Sequence, residues 1–407
     1  MHRLVALDLP AGPAFVDALR RTWDDGDAVL PVDRRLPPAA RDRLLAAARP
    51  HAVATEGGTV PLDGRAPPVE TGDALVIASS GTTGEPKLVV HTLDGLAAHA
   101  RAVHEHLAVT SADRWLACLP LAHIGGLGVV LRSVLTGTGL DVLDGFDAAA
   151  VAAAPERFGS TLVSLVPTAL DRVAADRFRW VVLGGSGDRR DRPANVVRTY
   201  GLTETGGGVV YGDHLLPGVE VRVDEGGAIL LRGPMLARGL RGPDGAVAPI
   251  TGPDGWLRTG DLGRLDPGDP GEHDEHGNPG GHGASGNPGG QGGHGPRLVV
   301  DGRADDLIVT GGQNVWPEPV EAAIATVAGV VEAAVFGRDD PEWGQRVVAA
   351  VVVDGDAPTL AEVRDRVREV LPAYAAPKEL LVLDALPRTA LGKVRRRHLA
   401  ARAPGPP

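Results

Sequence analysis

The sequence predicts an α/β protein. A large N-terminal domain, its mostly parallel sheets covered by helices and joined by a small β-rich part, precedes a small C-terminal α+β domain. Three observations carry that expectation. Short apolar runs such as DALVIA (73–78) and RWLACLP (114–120) alternate with stretches of helical spacing, the pattern of parallel strands covered on both faces. From about residue 219 the texture changes to alternating runs around a glycine turn, VEVRVDEGGAILLRGP, which reads as a hairpin. The chain has 407 residues, more than one ordinary core holds, so at least two domains are expected.

In chain order, residues 11–50 read as helical, with FVDALRRTWDDG and AARDRLLAAARP bracketing a proline-rich turn. DALVIA is a short buried strand. LVVHT (88–92) leads into LDGLAAHARAVHEHL, a helix for which Thr92 is the N-cap. RWLACLP is a strand and GGLGVVLRSVLTG (125–137) a mostly apolar helix, while TLVSLVPTALDRVA and FRWVVLGGSG repeat a strand-then-turn pattern. Residues 267–296 contain twelve glycines, four histidines and no large apolar residue. Such a stretch buries too little to offset ordering, so it reads as a disordered insertion rather than a histidine metal site. The tail reads VEAAIATVAGV (helix), VEAAVFGR (strand), RVVAAVVVDG (strand) and TLAEVRDRVREVL (helix). The expected domains are 1–304 and 305–407.

Composition narrows the function. Hydrophobic residues at 43% and charged residues at 23% are ordinary for a soluble chain. A net charge of -11 argues against nucleic acid as the main partner. The single cysteine, Cys118, excludes an internal disulfide and fits a reducing compartment. The N-terminus lacks the apolar run of a secretory signal, and no run reaches membrane-helix length. A cytoplasmic protein with no membrane span is expected.

SSGTTGEPK (79–87) follows DALVIA directly. Its glycines, Gly81 and Gly84, let backbone N–H groups converge on an oxyanion. Ser79, Ser80, Thr82 and Thr83 add hydroxyl donors, and Lys87 adds a mobile positive charge. Leu88 stands where a Walker A loop needs Ser or Thr, so that class of kinase or ATPase is disfavoured. Taken alone, the stretch fits a phosphate cradle or a plain polar turn. TYGLTETGG (199–207) then sets Thr203 beside Glu204, a carboxylate suited to hard Mg²⁺. DGWLRTGDLG (254–263) holds Asp261 as a ribose-hydroxyl acceptor, Arg303 and Asp305 lie in GRADDLIVTGG, and LPRTALGKVRRR (386–397) presents Lys393. GGSGD (184–188) fails as a hydrolase elbow, because Asp188 replaces its last glycine.

In this order, these five motifs resemble those of the adenylate-forming superfamily, which comprises acyl- and aryl-CoA ligases, carrier-protein adenylation domains and luciferases. The resemblance runs from about residue 70 to the end. It implies that Lys87 and the loop hydroxyls steady the β- and γ-phosphates of ATP, with Tyr200 beside the adenine. Thr203 would touch the α-phosphate, Glu204 would hold Mg²⁺, and Asp261 with Arg303 would bind the ribose. Lys393 would reach the acyl carboxylate during adenylation. Asp305 matches a hinge about which a mobile C-terminal lid turns to admit a thiol, with CoA as co-substrate.

The acid pocket is less explicit. In LPLAHIGGLGVVLRSVLTG (119–137), His123 opens an apolar helix holding one charge, Arg132. A lone buried arginine is costly unless paired. It reads as an internal salt bridge, a charge reaching water, or a counter-charge for a second substrate carboxylate. The stretch is similar to the matching segment of o-succinylbenzoate–CoA ligases of menaquinone biosynthesis, as is the Gly-rich run after Glu204. That likeness implies an aromatic dicarboxylic acid and a pocket drawn from His123, Gly126, Arg132, Ser164, Gly207 and Gly208. For the glycines, a tight turn is the competing reading. Ala122 and Gly206 depart from the pattern of relatives. The alternatives are another aryl- or acyl-CoA ligase, or a stand-alone adenylation enzyme loading a carrier protein. Oligomeric state stays open, a homodimer being common among such proteins.

Overall fold

The computed structural model describes residues 2–62, 66–80, 86–185, 191–266, 297–388 and 394–401. The insertion expected at 267–296 therefore lies outside the described residues. The chain divides into two compact units. One is Met1–Arg222 with Leu230–Arg258 and Leu265–Leu298; the other is Val299–Pro407 with Val223–Ile229 and Thr259–Arg264.

The N-terminal unit is built on two sheets. The first has the strand order Val247–Pro249, Gly239–Arg241, Pro86–Thr92, Asp73–Ser80, Ala28–Pro31, Leu4–Leu7, Ala52–Thr55, Gly58–Pro61. Leu4–Leu7 pairs in parallel with both its neighbours, whereas Asp73–Ser80 and Pro86–Thr92 are antiparallel, as two strands joined by a short loop must be. The second has the order His214–Leu215, Gly207–Tyr211, Val196–Leu202, Trp180–Leu183, Leu162–Leu165, Arg114–Ala117, Gly139–Val142. It is parallel from Gly139–Val142 to Val196–Leu202 and turns antiparallel at Gly207–Tyr211. Its central strands Leu162–Leu165 and Trp180–Leu183 are buried at every position, which is why they read as continuous apolar runs.

Residues 11–50 are a correction. They form two helices, Pro13–Asp24 and Pro38–Ala48, with a fully buried strand, Ala28–Pro31, between them. AVLP is too short to show a period, and only its place between two strands makes it sheet. The helix expected after LVVHT is Leu93–His106, and the Thr92 side chain accepts from Gly95 N at 3.1 Å. Such a cap stabilises a helix by about 1 kcal/mol. The apolar helix is Ile124–Thr136, with His123 as its N-cap residue.

Glu220–Val223 and Ala228–Arg232 are neighbours in a four-stranded sheet, joined by the Asp224–Gly227 turn expected of a hairpin. In the C-terminal unit, Val330–Asp340 and Gly344–Val353 pair antiparallel, and Glu379–Val382 adds in parallel to the second. Helices Pro317–Ile324 and Leu360–Val370 bury Val320, Ile324, Val363 and Val367 against Val335, Val347, Ala349 and Val351. Among the described residues no helix is long and apolar enough to cross a membrane.

Candidate active site

Asp73–Ser80 and Pro86–Thr92 bracket the glycine–threonine loop, with Ser79 opposite Lys87 in the register. Ser79 is half-buried and Lys87 exposed. Gly81, Thr82, Thr83, Gly84 and the side chain of Ser80 lie outside the described residues, as does Lys393. Tyr200 is half-buried on Val196–Leu202, which ends in a single 3₁₀ turn, Thr203–Thr205. That turn places Thr203 and Glu204 between the strands Val196–Leu202 and Gly207–Tyr211 of the second sheet. Among the described residues, the Lys87 ammonium, the Thr203 hydroxyl and the Glu204 carboxylate engage no protein partner. A half-buried carboxylate with free oxygens suits a hard cation, and a free ammonium suits phosphate. These residues therefore fit ATP and Mg²⁺.

The backbone of this turn is held from outside. His91 Nε2 lies 2.8 Å from Thr203 O, and His99 Nε2 lies 2.8 Å from Gly208 O. Both imidazoles are buried. Burial holds His91 down at about 4, and burial with the nearby Arg132 charge holds His99 down at about 3. Gly207 has φ 129°, and a Cβ there would lie 3.2 Å from the His99 ring. The positive φ agrees with the tight-turn reading of this glycine.

Arg132 is 4% exposed. It neither reaches water nor meets a carboxylate among the described residues. Nη1 donates to Tyr211 Oη at 3.2 Å and Nη2 to Ser164 Oγ at 3.0 Å, and the guanidinium lies over the Trp115 ring. Its Nε is buried without a partner. Trp115 is itself fixed by donating Nε1–H to His104 Nε2 at 3.0 Å. A Cβ on Gly208 would lie 3.2 Å from Tyr211 Cε2, so Arg132, Ser164, Tyr211 and Gly208 form one cluster. Cys118, a buried thiol pushed up to about 12 by burial, lies 4.0 Å from the backbone carbonyl of Ser164.

His123 belongs to a different cluster. Asp33 Oδ2 accepts from His123 Nε2 at 3.1 Å and from Arg35 Nη2 at 2.7 Å. Burial alone would raise Asp33, but the hydrogen bonds from Arg35 and His123 outweigh it and hold the carboxyl well below its ordinary range. Arg35 Nη2 also lies 3.2 Å from His123 Nε2, so Asp33, Arg35 and His123 form one polar cluster. Gly126 sits in the first turn of its helix, where a Cβ would clash with the backbone carbonyls of Leu119 and Pro120, so this glycine answers a close backbone approach.

In the C-terminal unit, Arg303 Nη1 donates to the buried Asp261 at 3.2 Å. Asp305 is exposed in a 3₁₀ turn, 4.0 Å from Arg303 and 3.6 Å from Arg397. Its neighbour Asp306 pairs with Arg396 at 3.2 Å, and Arg396 also pairs with Glu321 at 2.8 Å.

Sequence reasoning missed Asp33, Arg35, His91, His99, Trp115 and Tyr211. His91 carried a signal, a histidine inside the apolar strand LVVH. Trp115 and Tyr211 read as ordinary core.

Two family descriptions match: AMP-binding enzyme over residues 61–240 and AMP-binding enzyme C-terminal domain over residues 319–393. The chain is 38% identical, over 98% of each sequence, to a probable 2-succinylbenzoate–CoA ligase of Mycobacterium tuberculosis (strain CDC 1551 / Oshkosh). It is 32% identical to the 2-succinylbenzoate–CoA ligase of Listeria monocytogenes serotype 4b, over 81% of this chain and 70% of that one. Among solved structures it is similar to O-succinylbenzoate coenzyme A synthetase from Bacillus subtilis in complex with ATP and magnesium ion. That likeness has 25% identity and a TM-score of 0.78, and covers 98% of this chain and 89% of that one.

Proposed function

Because this chain belongs to the AMP-binding, adenylate-forming enzyme family, we propose that it is an ATP-dependent ligase joining 2-succinylbenzoate to CoA, with AMP and pyrophosphate as the other products. Its chemistry is that of an AMP-forming acid–thiol ligase using ATP, Mg²⁺ and CoA.

The acid carboxylate attacks the α-phosphorus of ATP in line, the bond to the bridging oxygen breaks, and pyrophosphate leaves. The CoA thiol then attacks the acyl carbonyl, loses its proton, and AMP leaves. Lys87, with the hydroxyls of Ser79, Ser80, Thr82 and Thr83 and the backbone at Gly81 and Gly84, steadies the departing phosphates. Thr203 meets the α-phosphate, and Tyr200 lies by the adenine. Glu204 would hold Mg²⁺, whose charge would offset that growing on the phosphates. Asp261, oriented by Arg303, accepts from the ribose hydroxyls. Lys393 bridges the acyl carboxylate and the α-phosphate in the first half-reaction, and rotation about Asp305 withdraws it for the second.

The observation that carries the choice of acid is Arg132, a buried guanidinium whose only described polar partners are hydroxyls. A monocarboxylic acid would make no use of it. A second carboxylate would gain from a fixed positive charge set behind Ser164 in a low-dielectric wall. His123, Gly126, Gly207 and Gly208 complete the proposed pocket. A cytoplasmic location and a homodimer belong to the same proposal. The first is supported by the intracellular supply of ATP and CoA; the second, which rests on the family resemblance, is checked by light scattering in solution.

The test is pyrophosphate release with ATP, Mg²⁺ and a panel of acids, with and without CoA. The highest turnover is expected with 2-succinylbenzoate, yielding a CoA thioester. Preference for benzoate or a fatty acid would overturn the assignment, and acyl transfer to a carrier protein rather than to CoA would favour the stand-alone adenylation enzyme.

A further inference from the structure

We propose that His91 and His99 are two separate positioning residues for the segment 203–208, His91 setting its ATP end and His99 its acid end. The inference rests on the roles given above to Thr203, Glu204, Gly207 and Gly208.

The segment is weak by itself. Gly206, Gly207 and Gly208 lose more conformational freedom on ordering than other residues would. Gly206 and Gly207 take φ 72° and φ 129°. Thr205 Oγ1 accepts from Leu202 N at 2.8 Å and lies 2.6 Å from Gly207 O, which closes the turn but does not aim it. Ala237 N donates to Glu204 O at 2.7 Å, and Gly207 and Gly208 pair with Leu202 and Gly201, which ties the middle of the segment; two imidazoles hold the carbonyls at its two ends. A carbonyl oxygen only accepts, so Nε2 carries the proton in both rings, and both rings are neutral donors. His91 is 0% and His99 3% exposed, so each bond is made away from competing water.

The two donors come from different elements. His91 lies on Pro86–Thr92, the strand that carries Lys87, and bonds the carbonyl of Thr203. It therefore locks the phosphate-facing turn to the phosphate-facing strand. His99 lies on the helix Leu93–His106, bonds the carbonyl of Gly208, and fills the space that a side chain at Gly207 would take. It therefore sets the floor beside Tyr211 and Arg132. With the flexible glycines between the anchors, loss of one donor should disturb one substrate.

The test compares His91→Leu, His91→Gln, His99→Leu and His99→Gln in steady-state pyrophosphate release, with separate KM values for ATP and 2-succinylbenzoate and a thermal midpoint for each protein. Loss of one buried hydrogen bond is expected to raise the affected KM about tenfold. His91→Leu should raise KM for ATP and leave KM for the acid within about twofold; His99→Leu should do the reverse. Glutamine restores each value, because its amide N–H reaches the position of imidazole Nε2. If a leucine variant does not fold, the asparagine variant, whose amide stops short of the carbonyl, replaces it with the same expected split. Parallel rises in both KM values, no rise in either, or no rescue by glutamine in a folded protein overturns the proposal. Glu204→Gln is measured alongside. If it releases pyrophosphate at the wild-type rate, the underlying site reading fails. If it is inactive and the split is absent, the histidine inference alone fails.

Discussion

The guanidinium carbon of Arg132 lies 4.4 Å from the centroid of the Trp115 ring, and no carboxylate among the described residues pairs with it. An arginine keeps its charge even here, since burial lowers its pKa only from a very high ordinary value. The charge is therefore held by a π-face and two hydroxyls, a weaker set of partners than an ion pair offers.

Arg132→Met should separate function from stability. KM for 2-succinylbenzoate is expected to rise at least about tenfold, since hydrogen bonds to charged groups contribute about 1.5–3 kcal/mol. KM for ATP should stay within about twofold. The thermal midpoint should hold or rise, because a slimmer apolar side chain removes a buried charge that lacks an acidic partner. Equal rises in both KM values, with a lower midpoint, would make Arg132 structural.

Glu204→Gln should slow adenylation about 100-fold or more, the scale of losing one electrostatic contact made to developing charge. The check is pyrophosphate release across a Mg²⁺ titration. Half-saturation should move to higher Mg²⁺, and a curve that overlays the wild type would remove Glu204 from the metal.

Stability should fall as pH drops below about 6.5, through three buried imidazoles. His91 and His104 are held down at about 4 and His99 at about 3, chiefly by burial. Unfolded histidines take up protons near 6.5, so below that pH the unfolded state binds more protons than the folded one. The contribution is whole above about 6.5 and is lost as pH falls through about 4 and 3. Urea midpoints at several pH values between 7.5 and 4.5 should decline, with a smaller slope in His99→Gln. A flat profile would mean that these imidazoles are solvated.

Lys393→Ala should slow pyrophosphate release about 100-fold or more, as expected for a charge that acts on the transition state. Thioester formation from preformed acyl-adenylate and CoA should stay within a few-fold of wild type. Equal losses in both half-reactions would argue that Lys393 supports the fold of its domain instead.

Local chemistry was legible wherever it was dense. The glycines, hydroxyls and lysine of 79–87, the Thr203–Glu204 pair and the charged GRADD segment each announce themselves, because phosphate and metal demand unusual residues close together. Helices such as Leu93–His106 were legible from their spacing and cap. Ala28–Pro31 was not, because four buried residues carry no period and become a strand only by pairing with Leu4–Leu7.

The sequence by itself determined the order of the motifs, the alternation of buried strands with amphipathic helices, and therefore the α/β class and the adenylating chemistry. All of these are set by residues near one another in the chain. Only the tertiary structure decided the surroundings of Arg132. Its partners Ser164, Tyr211 and Trp115 come from three strands of one sheet, and His91 and His99 meet carbonyls more than a hundred residues away. A hydroxyl, a ring or a backbone carbonyl gains its role from what faces it across a core, and that facing is written in the sheet order rather than in any single stretch of sequence.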